Sequence, residues 1–210
     1  METPAPTTRF ADPPAGTPRR PGGRSARVRR RVLDTVITLL VERGYDALTV
    51  DAVAERSGVH RTTVYRRWRD VGGLLADVLA EATGDDWQPR DTGSLRGDLE
   101  AINQEVHEAL TAEPPLTGAL IAASFRSPPA AAALRAFWAD RYERCAVVVA
   151  RAVARGEAPA GTDARALLVA ATAPVYHELL LLRSGADLTV AAQAARTAAV
   201  AARAGAFVTA

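Results

Sequence analysis

The sequence predicts an all-α protein in which a small N-terminal three-helix module is followed by a larger antiparallel helical unit. Three observations carry this. The 210 residues are 48% hydrophobic but only 5% aromatic, and Ala, Leu and Val supply most of the apolar content, a composition that suits closely packed helices rather than a β-sandwich core. Apolar residues recur at three- and four-residue spacing along most of the chain. The gaps between these stretches hold Gly or Pro where helices should end.

Residues 1–23 contain Pro4, Pro6, Pro13, Pro14, Pro18 and Pro21 with few large apolar groups. Such a segment cannot bury enough surface to order itself, so a flexible arm is expected. From Arg24 the positions Val28, Val32, Leu33, Val36, Ile37, Leu40 and Val41 form the stripe of an amphipathic helix, and Gly44 is expected to supply a left-handed stop. Thr49 is a good N-cap for a short second helix to about Arg56, with Asp51 in its first turn; Ser57 and Gly58 break it. A third short helix is expected from about His60 to Trp68, and Asp70 reads as the N-cap of a fourth through Leu74, Leu75, Val78 and Leu79. Five further helices are expected near residues 94–111, 116–125, 129–155, 163–183 and 189–207, with domains at 24–70 and 71–210.

The net charge of +2 conceals a division along the chain. Residues 19–69 hold 13 arginines against 5 acids, and residues 70–210 hold 12 arginines against 17 acids. The basic end is the candidate polyanion surface. Arginines from Arg19 through Arg31 either solubilise the arm or lie along a nucleic-acid backbone. The single cysteine, Cys145, cannot form an intrachain disulfide, and the first residues lack the apolar run of a secretory signal, so a cytoplasmic protein is expected. The most apolar stretch, 166–182, is interrupted by Pro174, His177 and Glu178; it reads as buried helix, with no membrane partner.

The informative segment is TVDAVAERSGVHRTTVYRRW, residues 49–68. Two short helices cross closely only where the contact residue is small and the turn accepts a left-handed backbone, needs that Ala54 and Gly58 meet. Val53, Val59, Val64 and Trp68 then face inward against the first helix. The i,i+4 relation places Arg61 with Tyr65 and Thr62 with Arg66 on the opposite, outer face. An α-helix fits the major groove of double-stranded DNA, where Arg pairs with guanine O6 and N7, a Thr methyl touches thymine, and Tyr or Arg reaches phosphate. Thr49, at a helix N-terminus, is a candidate phosphate clamp. These features agree with helix-turn-helix docking.

The stretch from Val32 to Leu75, centred on GYDALTVDAVAERSGVHRTTVYRRW, resembles the DNA-binding region of the TetR family of bacterial regulators, and RSPPAAAALRAFWADRYERCAVVVARAVARGE with APVYHELLLLRSG is similar to one branch of its C-terminal domains. The resemblance implies that three helices bind DNA and the rest bind a small-molecule effector and dimerise. It also implies that the third helix enters the groove, so that His60, Thr63 and Arg67 join Thr49, Arg61, Thr62, Tyr65 and Arg66 as DNA-binding candidates. The lysine that the family places shortly after this aromatic to contact phosphate corresponds to Val71, a contact that Arg67 or Arg69 would have to replace.

Stretch 166–182 is apolar nearly all round and 191–206 is mostly alanine. One small bundle cannot fully cover both, which implies a homodimer with a four-helix seam; the alternative is that both helices are internal core. His107, Phe125, Phe137, Trp138, Tyr142 and Tyr176 combine bulk with occasional polar handles on helices that the family uses to enclose effectors, and are the candidate pocket lining. His177 and Glu178 are adjacent and point apart, and Cys145 lies on an apolar stripe with Val148 and Val149; neither suggests a metal, cofactor or redox site. The expected function is a ligand-responsive repressor on a palindromic operator. A transcriptional activator or a broad DNA-associated factor is the alternative. A helical carrier or enzyme is more remote, since no phosphate loop, metal-spaced cluster or nucleophile motif is found.

Overall fold

A computed structural model describes residues 23–83, 86–184 and 187–208, so the expected arm lies outside the described residues apart from Gly23. Those residues form nine α-helices, and their single β feature is an isolated bridge between Thr162 and Val208. Helix α1 is Arg24–Arg43, α2 Val50–Ser57, α3 Arg61–Trp68, α4 Val71–Thr83 and α5 Leu95–Thr111. Then follow α6 Leu116–Ser124, α7 Pro128–Ala154, α8 Ala164–Tyr176 and α9 Thr189–Arg203.

The helix starts are built as the residues dictate. Thr49, Ser94, Ser127 and Asp163 each accept a hydrogen bond from the backbone N–H three residues on, and Pro128 and Pro129 occupy first-turn positions where an N–H would be unpaired anyway. Asp70 does the same for α4, its Oδ1 accepting from Gly73 N at 2.8 Å.

Two apolar clusters fill the interior. The first gathers Val32, Leu33, Val36, Leu39 and Leu40 of α1 with Val53, Val64 and Trp68, then continues through Leu74, Leu75 and Val78 of α4 to Ala123 and Ala130. The expected boundary at residue 70 therefore falls within one continuous cluster, because α4 packs its apolar face on both neighbours. The second joins Leu95, Leu99 and Ile102 of α5 to Val148, Val149 and Ala152 of α7, Leu167, Leu168 and Ala171 of α8, and Ala195, Ala198 and Ala202 of α9. Alanines on α9 allow α5, α8 and α9 to approach closely. The fully buried Asp98 anchors α5 by accepting from Thr92 N and Thr92 Oγ1, both at 2.7 Å, and from Arg155 at 3.2 Å.

One expected helix differs. Residues 163–183 do not form a uniform α-helix: α8 ends at Tyr176 and His177–Leu182 is π-helical. Pro174 has no N–H for the carbonyl one turn back, and the bonding register widens beyond it. The combined segment Ala164–Leu182 is long and apolar enough to cross a membrane, and only 28% of its most apolar window is buried, with Leu167, Leu168 and Ala171 packed on the second core, so the expected buried helix is covered on one face only.

Candidate nucleic-acid interface

The turn between α2 and α3 is made by Gly58, left-handed at φ 63° and ψ 23°. Its N–H reaches Glu55 O at 3.3 Å and Val59 N–H reaches Ala54 O at 3.2 Å, closing α2 before the chain reverses. Ser57 Oγ donates to Ala54 O and accepts from Val59 N, both at 3.3 Å. His60 caps α3: its Nδ1 accepts from Thr62 N at 3.4 Å and lies 2.9 Å from Thr62 Oγ1, so the ring is tied to the helix start.

With Val53, Val59, Val64 and Trp68 buried beneath, Arg61, Thr62, Tyr65 and Arg66 stand exposed together on the outer surface of α3, and Thr49, His60 and Arg67 are also exposed. Thr63 is half-buried. Arg61 is not idle in the free protein. Its Nε lies 2.7 Å from Asp51 Oδ1, and its guanidinium sits 5.2 Å from the centre of the Tyr65 ring. Thr49 Oγ1 is committed to its cap, accepting from Ala52 N at 3.0 Å.

Helix α3 is fixed from behind by Asp77 of α4. Its carboxylate accepts from Trp68 Nε1 at 2.8 Å and from Arg29 Nε and Nη2 at 3.0 and 2.8 Å, tying α1, α3 and α4 at one point. Burial pulls the Asp77 pKa up, but the hydrogen bonds from Arg29 and Trp68 and the charges of Arg29 and Arg67 outweigh it and hold the carboxyl below its ordinary value.

Residues singled out less sharply in the sequence lie beside α3. Arg24, Ser25 and Val28 at the start of α1 share a groove with Thr63, Arg66, Arg67 and Trp68, and Arg67 Nη1 donates to Ser25 Oγ at 3.5 Å. Arg24, Arg66 and Arg67 thus border one groove. The basic run up to Arg31 signalled this only in general terms, because linear charge does not show which arginines fold back beside α3. Val71, at the position of the family's lysine, is half-buried, whereas Arg69 is exposed with φ 64° at the end of α3.

Residues 32–78 match the family model described as bacterial regulatory proteins, tetR family, and residues 89–203 match the tetracyclin repressor-like C-terminal domain. The chain belongs to the TetR family. It is accordingly a DNA-binding transcription regulator. It is 36% identical over 149 residues to the HTH-type transcriptional regulator AqdR of Rhodococcus erythropolis, covering 70% of this chain and 71% of that protein. It is 32% identical over 154 residues to the DNA-binding transcriptional repressor TetR of Mycobacteroides abscessus, covering 71% of this chain and 80% of that one. The crystal structure of the TetR family transcription regulator SCO0332 superposes with a TM-score of 0.62 at 28% identity, over 82% of this chain and 97% of that one.

The second half of this TetR-family chain holds a cavity of about 230 Å³ between α5, α7 and α8, open at the side of Ala109. Of the expected lining residues, Phe137, Trp138, Tyr142 and Tyr176 line it. Phe125 does not: it follows the end of α6 and is 84% exposed, with no helix packed over it. His107 lies on another face of α5 and lines a separate cleft with Val175, Glu178 and Asp187. Trp87, from the loop before α5, joins the first cavity, a position hidden in the sequence by its Gly- and Asp-rich surroundings. Cys145 also borders it; burial pushes the thiol up to about 11, so it packs as a neutral group.

Proposed function

We propose that this TetR-family regulator is a ligand-responsive repressor that binds a palindromic operator as a homodimer in the cytoplasm. The carrying observation is the continuity of α4. At one point its Asp77 holds the base of α3; along its length it packs on α7, whose Phe137, Trp138 and Tyr142 line the cavity. A ligand that binds one arrangement of α7 better than another shifts α4 and, with it, the position of the reading helix.

In this reading Arg61 pairs with guanine O6 and N7, Thr62 and Tyr65 contact neighbouring base edges, and Arg24, Arg66 and Arg67 with Thr49 hold phosphates. Arg61 must leave Asp51 to do so, an exchange of one partly hydrated ion pair for another. His60 and Thr63 position the start of α3. Two such heads related by a two-fold axis would read half-sites about 34–36 Å apart.

The dimer seam is proposed on the outward faces of α8 and α9. Ala166, Val169, Ala170 and Ala173 form an exposed stripe at helical spacing on α8, and Val200 on α9 is 67% exposed. Small and branched apolar groups facing solvent on adjacent helices suit an isologous four-helix contact.

Genome-wide footprinting of the purified protein, paired with expression profiling after deletion of its gene, tests this. Footprints should centre on inverted repeats, and the genes beside them should rise on deletion. Genes that fall on deletion would make the protein an activator, and footprints without a shared sequence would make it a broad DNA-associated factor.

A further inference from the structure

Five of the chain's eleven aromatic side chains, Trp87, Phe137, Trp138, Tyr142 and Tyr176, line the one cavity between α5, α7 and α8. In so aromatic-poor a sequence this is a concentration: the second core is built mainly of Leu, Val and Ala, and Trp87 and Tyr142 pack on it from the cavity side. Trp138 is the centre of the group. Phe137 meets it edge-on at 5.1 Å and Tyr176 at 5.5 Å with planes at 90°, while Tyr142 lies tilted at 6.2 Å. Ring faces and edges presented together to one cavity suit contact with a flat ring, which can meet them stacked or edge-on.

The charged groups bordering the cavity are already occupied. Glu105 accepts from Trp87 Nε1 at 2.7 Å and lies 3.6 Å from Arg90. The Arg141 guanidinium stacks on the other aromatic walls, 4.7 Å from the Trp87 ring centre and 5.1 Å from that of Phe137. An anionic ligand would have to compete with the Trp87 and Phe137 rings for the Arg141 guanidinium, and a cationic one with Arg90 for Glu105, each after losing its own hydration. The uncommitted handles are hydroxyls, two phenols and that of Thr117 at the α6 side. Among the described residues the hydroxyls of Tyr142 and Tyr176 make no hydrogen bond, and burial raises both phenol pKa values, keeping them protonated as donors.

Size narrows the choice further. A cavity of about 150 Å³ takes up benzene, so about 230 Å³ admits one or two fused rings and excludes a long acyl chain. We propose that the ligand of this cavity is an uncharged, flat aromatic molecule of one or two fused rings, carrying a hydrogen-bonding group that meets Tyr142 and Tyr176. This rests on the reading of the cavity as the effector site and specifies its chemistry.

The test is calorimetric titration of the full-length protein with four probes: 2-naphthol, 2-naphthoate, 2-naphthylmethylammonium and decanoate. 2-Naphthol should bind one per protomer, about tenfold or more tighter than its charged analogues or the aliphatic acid. Tyr176→Phe, checked for an unchanged melting temperature, should weaken 2-naphthol about tenfold, the loss of one hydrogen bond. Ala109→Trp, which fills the cavity from its exposed rim, should abolish binding. Tighter binding of either ion or of decanoate overturns the inference. So does failure of 2-naphthol to bind, or binding that survives Ala109→Trp. Should 2-naphthol bind as expected yet leave affinity for footprinted DNA unchanged, the ligand class stands and the effector role of the cavity falls.

Discussion

Asp77→Ala isolates the joint between the reading helix and the rest of the molecule. The substitution removes the acceptor for Trp68 Nε1 and for two N–H groups of Arg29, at a site where the Arg29 and Asp77 side chains are 26% and 24% exposed. A hydrogen bond to a charged group contributes about 1.5–3 kcal/mol. Partial exposure and the nearby Glu81, 3.5 Å from Arg29, reduce the loss to about 1–2 kcal/mol. For a chain of this length that lowers the melting temperature by about 2–8 °C, measured at matched protein concentration. Acid provides an internal check. Because the folded pKa of Asp77 lies below its unfolded value, its stabilisation is fully present above the unfolded pKa and is lost as pH falls through the folded one. The gap between wild type and variant should hold constant from about pH 5 to 8 and narrow below about pH 4. Gel-shift titration well below the melting temperature should also show weaker operator binding, since α3 loses its brace. A melting temperature within 1 °C of wild type (about 0.3 kcal/mol), together with unchanged operator affinity, would refute the role of Asp77 as the joint.

Three other outcomes follow from the same geometry. Asp51→Asn frees Arg61 from its internal partner, so affinity for random DNA should rise by a few fold while the ratio of operator to random binding falls; an unchanged ratio in a competition gel shift would show that the Asp51 contact plays no part in selection. Val200→Arg places a charge in the proposed seam and should convert the dimer to monomer in sedimentation velocity, with operator affinity falling in parallel; a variant that stays dimeric moves the seam elsewhere. Arg66→Ala removes one phosphate contact per head, so the slope of log K against log salt should shrink by about 2 for a dimer, and a slope equal to wild type would take Arg66 off the backbone.

Much of the DNA-binding half was legible because short-range rules govern it. Thr49, Gly58 and Asp70 each act within three or four residues of themselves, and the inward set Val53, Val59, Val64 and Trp68 leaves one orientation for Arg61, Thr62, Tyr65 and Arg66. What escaped depends on contacts distant in sequence. Asp77 meets Arg29 across 48 residues, and the fold-back of Arg24 and Ser25 beside Arg67 leaves no trace in periodicity. The pocket was half legible. Phe137, Trp138, Tyr142 and Tyr176 come together because α7 and α8 face one another, whereas Phe125 ends a short helix whose open side nothing in its neighbours reveals. His107 shows the limit of reading one helix alone. Ile102, Glu105, Val106 and Ala109 share the cavity face of α5, and the step of about 100° per residue turns His107 away from it. The π-helical turn after Pro174 was hidden for a similar reason, since a proline announces a break but not the register that follows.

The most direct measurement is selection of bound sequences from a random DNA library by wild type and by Arg61→Ala, side by side. Wild type should enrich an inverted repeat, and the variant should enrich the same repeat with preference relaxed at one symmetric pair of positions and affinity lower by about 1–3 kcal/mol per contact. An identical motif from both proteins would contradict the claim that the outer face of α3 reads the DNA.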